Sequence, residues 1–312
     1  MNESHAAAQR ILQSLNVEHL VSLGGGAETV VYAYTEETVI KIYRYQSPDK
    51  QQTSKYLSRM QETYKVLSTS HFSFHFPEIY EFGEQDGYFF TIEKRLAGTP
   101  VAPLYEKLAE VERRTFLTHF FETLASFQSI RFEAQEYGQL FDAGPEIRNN
   151  RWDAFLLEMV ARKLAISKQD LQEDLIDADS AFERFQRAVD ELPRNPAKNF
   201  VHGDYFLGNI LVDADLNVTA VLDIGPLSAA GDFRIDVAGA IAFLDIYPFT
   251  TPQDRAYLME LATKQYGEAI ARQVDIYTVY YSLLFSDCKR SDPTTYYWSI
   301  KKIRELLFAT ES

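Results

Sequence analysis

Apolar and polar residues change period several times along the chain, and the changes mark out its elements. Ala8, Ile11, Leu12 and Leu15 recur at helical spacing near the N-terminus. From His19 to Tyr43 the period falls to two. Leu20–Leu23 reads as a strand, Gly24-Gly25-Gly26-Ala27-Glu28-Thr29 as a turn, Val30–Tyr34 as the returning strand and Thr38–Tyr43 as a third. Tyr56, Met60, Tyr64 and Leu67 then fall three and four residues apart, which predicts a helix over Asp49–Thr69 with one apolar stripe. Pro77 closes that region, and Glu78–Gly83 and Tyr88–Leu96 alternate as two further strands. These elements predict a small, mostly antiparallel sheet with a helix against it.

The rest of the chain is mainly helical in period. Leu104, Leu108, Val111, Phe116, Phe120, Leu124 and Phe127 predict one long helix between Pro103 and Ile130. Two or three helices follow between Tyr137 and Pro193, around Trp152–Leu164 and Leu171–Leu192. Two short apolar runs then interrupt the pattern, Ile210-Leu211-Val212 and Val221-Leu222, with Asp213-Ala214-Asp215-Leu216-Asn217 as the turn between them. From Pro252 to Glu311 the period is helical again and rich in rings, among them Tyr257, Tyr266, Tyr277, Tyr280, Tyr281, Phe285, Tyr296, Tyr297 and Trp298. Such a stripe is either core or the lining of a pocket for a sugar face or a cation. The fold class is α+β, with a sheet-rich first part and a helical second part.

Composition sharpens this picture. A chain of 312 residues buries a large core and is expected to form two domains or lobes. Hydrophobic residues at 46% and charged residues at 24% describe a globular chain with no disordered composition. One cysteine, Cys288, excludes an internal disulfide framework, and a neutral thiol in a reducing cytoplasm is the expectation. No signal-peptide core and no run of membrane-spanning length is present. The formal net charge of -14 argues against nucleic acid as a partner, because that binding rests on clustered Lys and Arg. The same charge suits a cationic small substrate, and equally an ordinary acidic cytoplasmic protein.

The densest chemistry lies in His202-Gly203-Asp204-Tyr205-Phe206-Leu207-Gly208-Asn209, just before the first short apolar run, and in Asp223 at the end of the second. Apolar strands on either side can hold two carboxylates and a carboxamide at one end of a scaffold. Asp204 stands five residues before Asn209, a spacing that suits a general base facing a metal-binding amide, and Asp223 can bring a charged oxygen to the same Mg²⁺. The competing reading is a polar turn between two strands, with Asp204 and Asn209 as turn formers.

This order resembles the H-x-D-x-x-x-x-N loop and metal-binding Asp of protein-kinase-like phosphotransferases, and Gly203 points to the aminoglycoside phosphotransferase and choline kinase branch. The resemblance implies a two-lobed kinase-like fold, with a nucleotide-binding N-lobe over residues 1–96 and a C-lobe over 97–312 carrying the catalytic loop and acceptor-binding helices. It implies Asp204 as catalytic base, Asn209 and Asp223 as Mg²⁺ ligands, and His202 as a loop-shaping residue. Gly24, Gly25 and Gly26 correspond to the nucleotide loop, with Thr29 where protein kinases carry a third Gly. Lys41 corresponds to the strand lysine that meets the nucleotide phosphates, and Glu62 to its ion-pair partner. Glu93 to Leu96, Arg95 included, corresponds to the hinge that receives the base of ATP or GTP. Gln128 stands where many relatives carry His, and Ile224 and Gly225 depart from the family's D-W-E or D-F-D. Asp232 and Asp236 keep the G-D-x-x-x-D spacing, Asp236 as a structural acid receiving loop N–H groups.

The implied activity is transfer of a γ-phosphoryl group to a hydroxyl of a small molecule, an aminoglycoside-like antibiotic first, with amino alcohols, homoserine and sugars as further candidates. Only twelve residues separate Asp223 from Asp236, too few for the peptide-docking activation segment of a protein kinase. A reading from another class is a catalytically silent nucleotide-binding or scaffold protein, which predicts loss of Asp204, Asn209 or Asp223. All three are present.

Overall fold

Alternation along one strand sets the layering of the N-terminal region. The computed structural model describes residues 3–14, 21–25, 29–46, 50–69, 71–85, 87–133, 135–142, 144, 146–174 and 176–308. In chain order the region comprises α1 (Glu3–Ser14), β1 (Ser22–Gly24), β2 (Thr29–Ala33), β3 (Thr38–Gln46), α2 (Lys50–Ser68), β4 (Ile79–Gln85) and β5 (Tyr88–Lys94). The strands pair antiparallel in the order β1-β2-β3-β5-β4. Ile40 and Ile42 of β3 share one face with Phe90 and Ile92 of β5, and Ile11 and Leu12 of α1 close over them. The intervening residues of the same strands, Lys41 and Tyr43, Thr91 and Glu93, therefore face the other way. On that side Tyr43 and Phe89 join a core with the buried stripe of α2, which contains Tyr56, Leu57, Met60, Tyr64 and Leu67 as its spacing predicts.

The chain leaves β5 at Lys94 and enters β6 (Thr99–Pro100), which pairs with a different sheet. α3 (Val101–Tyr105) and α4 (Glu110–Ser126) follow, so the single helix expected from Pro103 to Ile130 is two helices and a closing 3-10 turn over Phe127–Ser129. The break is local: the Glu112 carboxylate accepts the N–H of Ala109, and Arg113 Nε donates to the carbonyl of Leu108. β7 (Tyr137–Gln139), β8 (Arg148–Asn149), α5 (Trp152–Glu173) and α6 (Ala178–Val189) come next, the helices close to where the period puts them.

β9 (Asn199–Val201), β10 (Ile210–Val212), β11 (Val218–Val221) and β12 (Ala229–Gly231) carry the loops of interest. Among the described residues they build two small sheets, β11-β10-β6 and β8-β7-β12-β9. The Asp213–Asn217 connection is the expected turn, with Asp213 Oδ1 accepting the N–H groups of Asp215 and Asn217. α7 (Arg234–Ala242), α8 (Pro252–Tyr266), α9 (Ala269–Leu284) and α10 (Pro293–Leu307) complete the chain. Their rings are core: Tyr277, Tyr281 and Tyr296 are fully buried, while Tyr297 faces solvent. Burial pushes the Cys288 thiol up to about 12, so it is neutral as expected. No helix among the described residues is long and apolar enough to cross a membrane.

Candidate active site

The loop after β9 is held from beneath by a single carboxylate. Asp236 in the first turn of α7 is fully buried, and its two oxygens accept the N–H groups of His202 at 2.6 Å and Gly203 at 2.8 Å. Burial pushes the Asp236 carboxyl up to about 7, against the pull of those two donors. Gly203 has φ 79°, and a Cβ there would stand 2.3 Å from the carbonyl oxygen of Leu227, so only glycine passes. The His202 ring is also buried; its Nε2 lies 2.9 Å from the Leu222 carbonyl and its Nδ1 accepts the N–H of Asp204. That pattern fixes a neutral ring with the proton on Nε2, and burial holds its pKa down at about 4. His202 thus ties the start of the loop to the residue before Asp223, as a loop-shaping residue would.

Two further buried groups brace the loop and the turn before α7. Tyr205 is buried, stacks on Phe120 at 4.4 Å and donates its hydroxyl to the Phe120 carbonyl. Asp232, also buried, accepts from Arg234 Nε and from the Tyr277 hydroxyl, which in turn accepts from Trp152 Nε1. The G-D-x-x-x-D spacing is therefore two buried acids that knit the loops to α5, α7 and α9.

Four of the expected site residues come together. The Asn209 amide nitrogen donates to the Asp204 carbonyl at 3.0 Å and to its carboxylate at 3.2 Å, which leaves the amide oxygen as the acceptor end. The Asn209 carbonyl accepts the N–H of Leu222, bringing Asp223 beside it. Asp223 has φ 59°, an uncommon conformation for a residue other than glycine, and its carboxylate is half-exposed. Lys41 Nζ reaches it from β3 at 2.5 Å. Burial works against the Lys41 ammonium, but Asp223 and Glu93 outweigh it, so Lys41 titrates well above its ordinary value. In return Lys41 holds the Asp223 carboxyl below the usual carboxylate range.

The remaining expectations divide. Glu62 is exposed on α2, and the ion pair expected between it and Lys41 is replaced by the pair with Asp223. The reason is rotational: the stripe that α2 turns inward carries Tyr56, Met60 and Tyr64, and Glu62 lies off it. Glu93, expected at the hinge, is buried with its carboxylate accepting from the Thr91 hydroxyl at 2.6 Å. Arg95 is exposed, and its N–H is taken by the Glu37 carbonyl, as that of Lys94 is by Glu78. Gly24 and Gly25 have φ 130° and 157°, and a Cβ on Gly25 would stand 2.4 Å from the Thr29 carbonyl oxygen. Gly26 lies outside the described residues. Gln128, at the family's His position, donates to the Ala125 carbonyl and the Tyr266 hydroxyl.

A further contact ties α2 to the turn after Asp223. Tyr64 of α2 donates its hydroxyl to the carbonyl of Ile224 at 2.9 Å, directly after Asp223. The only sequence signal was a tyrosine in an apolar stripe, which carries a polar end that needs a partner when buried.

Among the described residues no three His, Cys, Asp or Glu side chains cluster as a self-sufficient metal site. A half-exposed carboxylate at Asp223 and an amide oxygen at Asn209 fit Mg²⁺, which takes few protein ligands and draws the rest from phosphates and water.

A helical C-terminal region beside an antiparallel sheet, with a lysine from the sheet paired to an aspartate next to an Asp–Asn loop, defines a kinase-like phosphotransferase fold. The chain belongs to the phosphotransferase enzyme family, APH, whose model matches residues 19–272. Solved structures agree on the fold. One similar structure is a gentamicin complex of APH(2'')-IIa, with 18% identity, a TM-score of 0.64, and coverage of 96% of this chain and 95% of that one. The same enzyme, in a ternary complex with streptomycin and ATP, matches at 19% identity and TM-score 0.63, over 97% of this chain and 95% of that one. A type I macrolide 2'-phosphotransferase matches at 17% identity and TM-score 0.57, over 96% of this chain and 97% of that one. No curated protein matches the sequence.

Proposed function

We propose that this family member is a small-molecule kinase that moves the γ-phosphoryl group of ATP or GTP to a hydroxyl of its acceptor. The observation that carries the reading is the Asp204–Asn209 and Lys41–Asp223 pairing, which gathers two carboxylates, a carboxamide and an ammonium at one place. In this reading Asp204 accepts the proton of the attacking hydroxyl. Asn209 and Asp223 hold Mg²⁺, which would neutralise charge on the transferring phosphoryl group. Lys41 and the main chain around Gly24 and Gly25 receive the nucleotide phosphates, and main-chain atoms between Glu93 and Leu96 receive the base. The division into lobes falls at residues 96 and 97. Phosphoryl transfer asks for positioning and charge neutralisation more than covalent chemistry, and both are what these groups supply.

The acceptor we favour is an aminoglycoside-like antibiotic, with amino alcohols, homoserine and sugars behind it. Two features support a cationic acceptor: the net charge of -14 and the streptomycin and gentamicin complexes among the similar structures. A nucleotide-consumption screen of the purified protein against aminoglycosides, macrolides, amino alcohols, homoserine and sugars tests this. Acceptor-stimulated turnover is expected with at least one class; none across the panel favours a silent nucleotide-binding protein. Asp204→Ala is expected to abolish Mg²⁺-dependent transfer, a loss of about 10²-fold or more, while nucleotide still binds. Undiminished transfer would remove Asp204 from its role.

A further inference from the structure

If Lys41 is to meet the nucleotide while Asp223 holds a divalent cation, a second anion has to keep the lysine in place. α2 does not provide it. Its only carboxylate is Glu62, which is exposed, and its buried face presents Tyr56, Met60 and Tyr64. The sheet does provide one. Lys41 lies opposite Thr91 and Val39 lies opposite Glu93 in the β3–β5 register, so Lys41 and Glu93 are diagonal neighbours on the face turned toward α2. Glu93 is 7% exposed, and its carboxylate accepts from the Thr91 hydroxyl at 2.6 Å, on the residue directly across from Lys41. A carboxylate buried to that degree is costly unless a cation stands near: burial pushes the Glu93 carboxyl up, and the charge of Lys41, whose side chain is 14% exposed, pulls it back in part.

We infer that Glu93, oriented by Thr91, is the positioning residue for Lys41, in the role that a glutamate of α2 would otherwise fill. The inference rests on the kinase reading of the site for its catalytic meaning, and on the β3–β5 geometry for the pairing itself. Lys41 then has two carboxylates: Asp223, which it contacts directly, and Glu93, which stays with the sheet whatever happens at Asp223. Glu93 touches no reacting atom. It acts by keeping the ammonium at the height along β3 where the phosphates arrive.

The test is a double-mutant cycle of Glu93→Gln and Lys41→Met, with Glu62→Gln and Thr91→Val alongside. It is read by steady-state transfer and by urea denaturation. Glu93→Gln keeps the shape and removes the charge. It is expected to lower kcat by about ten- to a hundredfold, with the nucleotide KM moving less than about threefold, because orientation is lost in place of binding. Thr91→Val is expected to lower kcat by a smaller factor in the same direction, and Glu62→Gln to leave it unchanged. In the Lys41→Met background Glu93→Gln is expected to cost no further activity. An unchanged kcat in Glu93→Gln, the same loss in Glu62→Gln, or full additivity with Lys41→Met each overturns the inference. Should the wild-type protein transfer no phosphoryl group, the kinase reading falls, and the denaturation cycle still decides the pairing: coupled stabilities uphold it and additive ones overturn it.

Discussion

Two buried titratable residues, His202 in the loop and Asp236 beneath it, pull the pH dependence of stability in opposite directions. His202 titrates near 4 in the folded chain and near 6.5 when unfolded. Between those values the unfolded chain binds the proton that the folded chain refuses, so this residue makes stability rise with pH. Asp236 titrates near 7 when folded and near 3.8 when unfolded. Over that window the folded chain keeps a proton that the unfolded chain releases, so this residue makes stability fall with pH. The two nearly cancel from about pH 4 to 6.5. Asp236→Asn removes one of them and is expected to steepen the rise of stability with pH by about 1.4 kcal/mol per pH unit in that range, on top of a uniform loss of about 2 kcal/mol from the disturbed N–H contacts. Urea denaturation of wild type and variant at pH 5 and 6.5 measures it; equal slopes would mean that Asp236 is ionised throughout. The spacing of Asp232 and Asp236 was legible in the sequence, and so was the structural role of Asp236. Its burial and coupling to His202 were not, because they depend on α7 lying directly beneath a loop more than thirty residues earlier.

At the scale of elements, α2 shows what a one-dimensional pattern can and cannot assign. Its length and inward stripe follow from Tyr56, Met60, Tyr64 and Leu67, and the structure agrees to within a residue or two. The partner of Lys41 did not follow, because Glu62 was placed by order along the chain, and a helix rotates by 100° at each residue. What α2 brings to the site is Tyr64, whose hydroxyl secures the carbonyl after the positive-φ Asp223. Tyr64→Phe keeps the packing and leaves that carbonyl without its donor. The expected cost is about 1–3 kcal/mol in urea denaturation, with no change in secondary structure by circular dichroism. A change below about 0.5 kcal/mol would mean that the carbonyl finds water instead. The split of the Pro103–Ile130 helix belongs here too: the apolar period continues through the break, and the Glu112 cap and Arg113 contact that stop α3 and start α4 carry no periodic signal.

For the whole molecule, a ligand that binds only the folded chain stabilises it by mass action. Mg²⁺ with ATP or GTP at about a hundred times Kd is expected to add about 2.7 kcal/mol, seen as a rise in Tm that a chelator reverses. Asp223→Ala is expected to remove the Mg²⁺-dependent part of that rise; an undiminished rise in the variant would take Asp223 out of the metal site. The α+β class, the sheet-then-helix order and the polar loop His202–Asn209 with Asp223 after the next strand pair are all legible in the amino-acid sequence. Those features are written in local period and short spacing, and strands flanking a polar loop need no distant information. Which charges meet is a property of the folded chain. Lys41 finds Asp223 across 182 positions and lies diagonal to Glu93 across a strand pair, while Glu62 turns to solvent. Charge pairing depends on register between strands and on the rotation of a helix about its axis. The apolar stripe of α2 shows which face turns inward, but nothing in the order of residues gives the strand register that sets Lys41 beside Glu93.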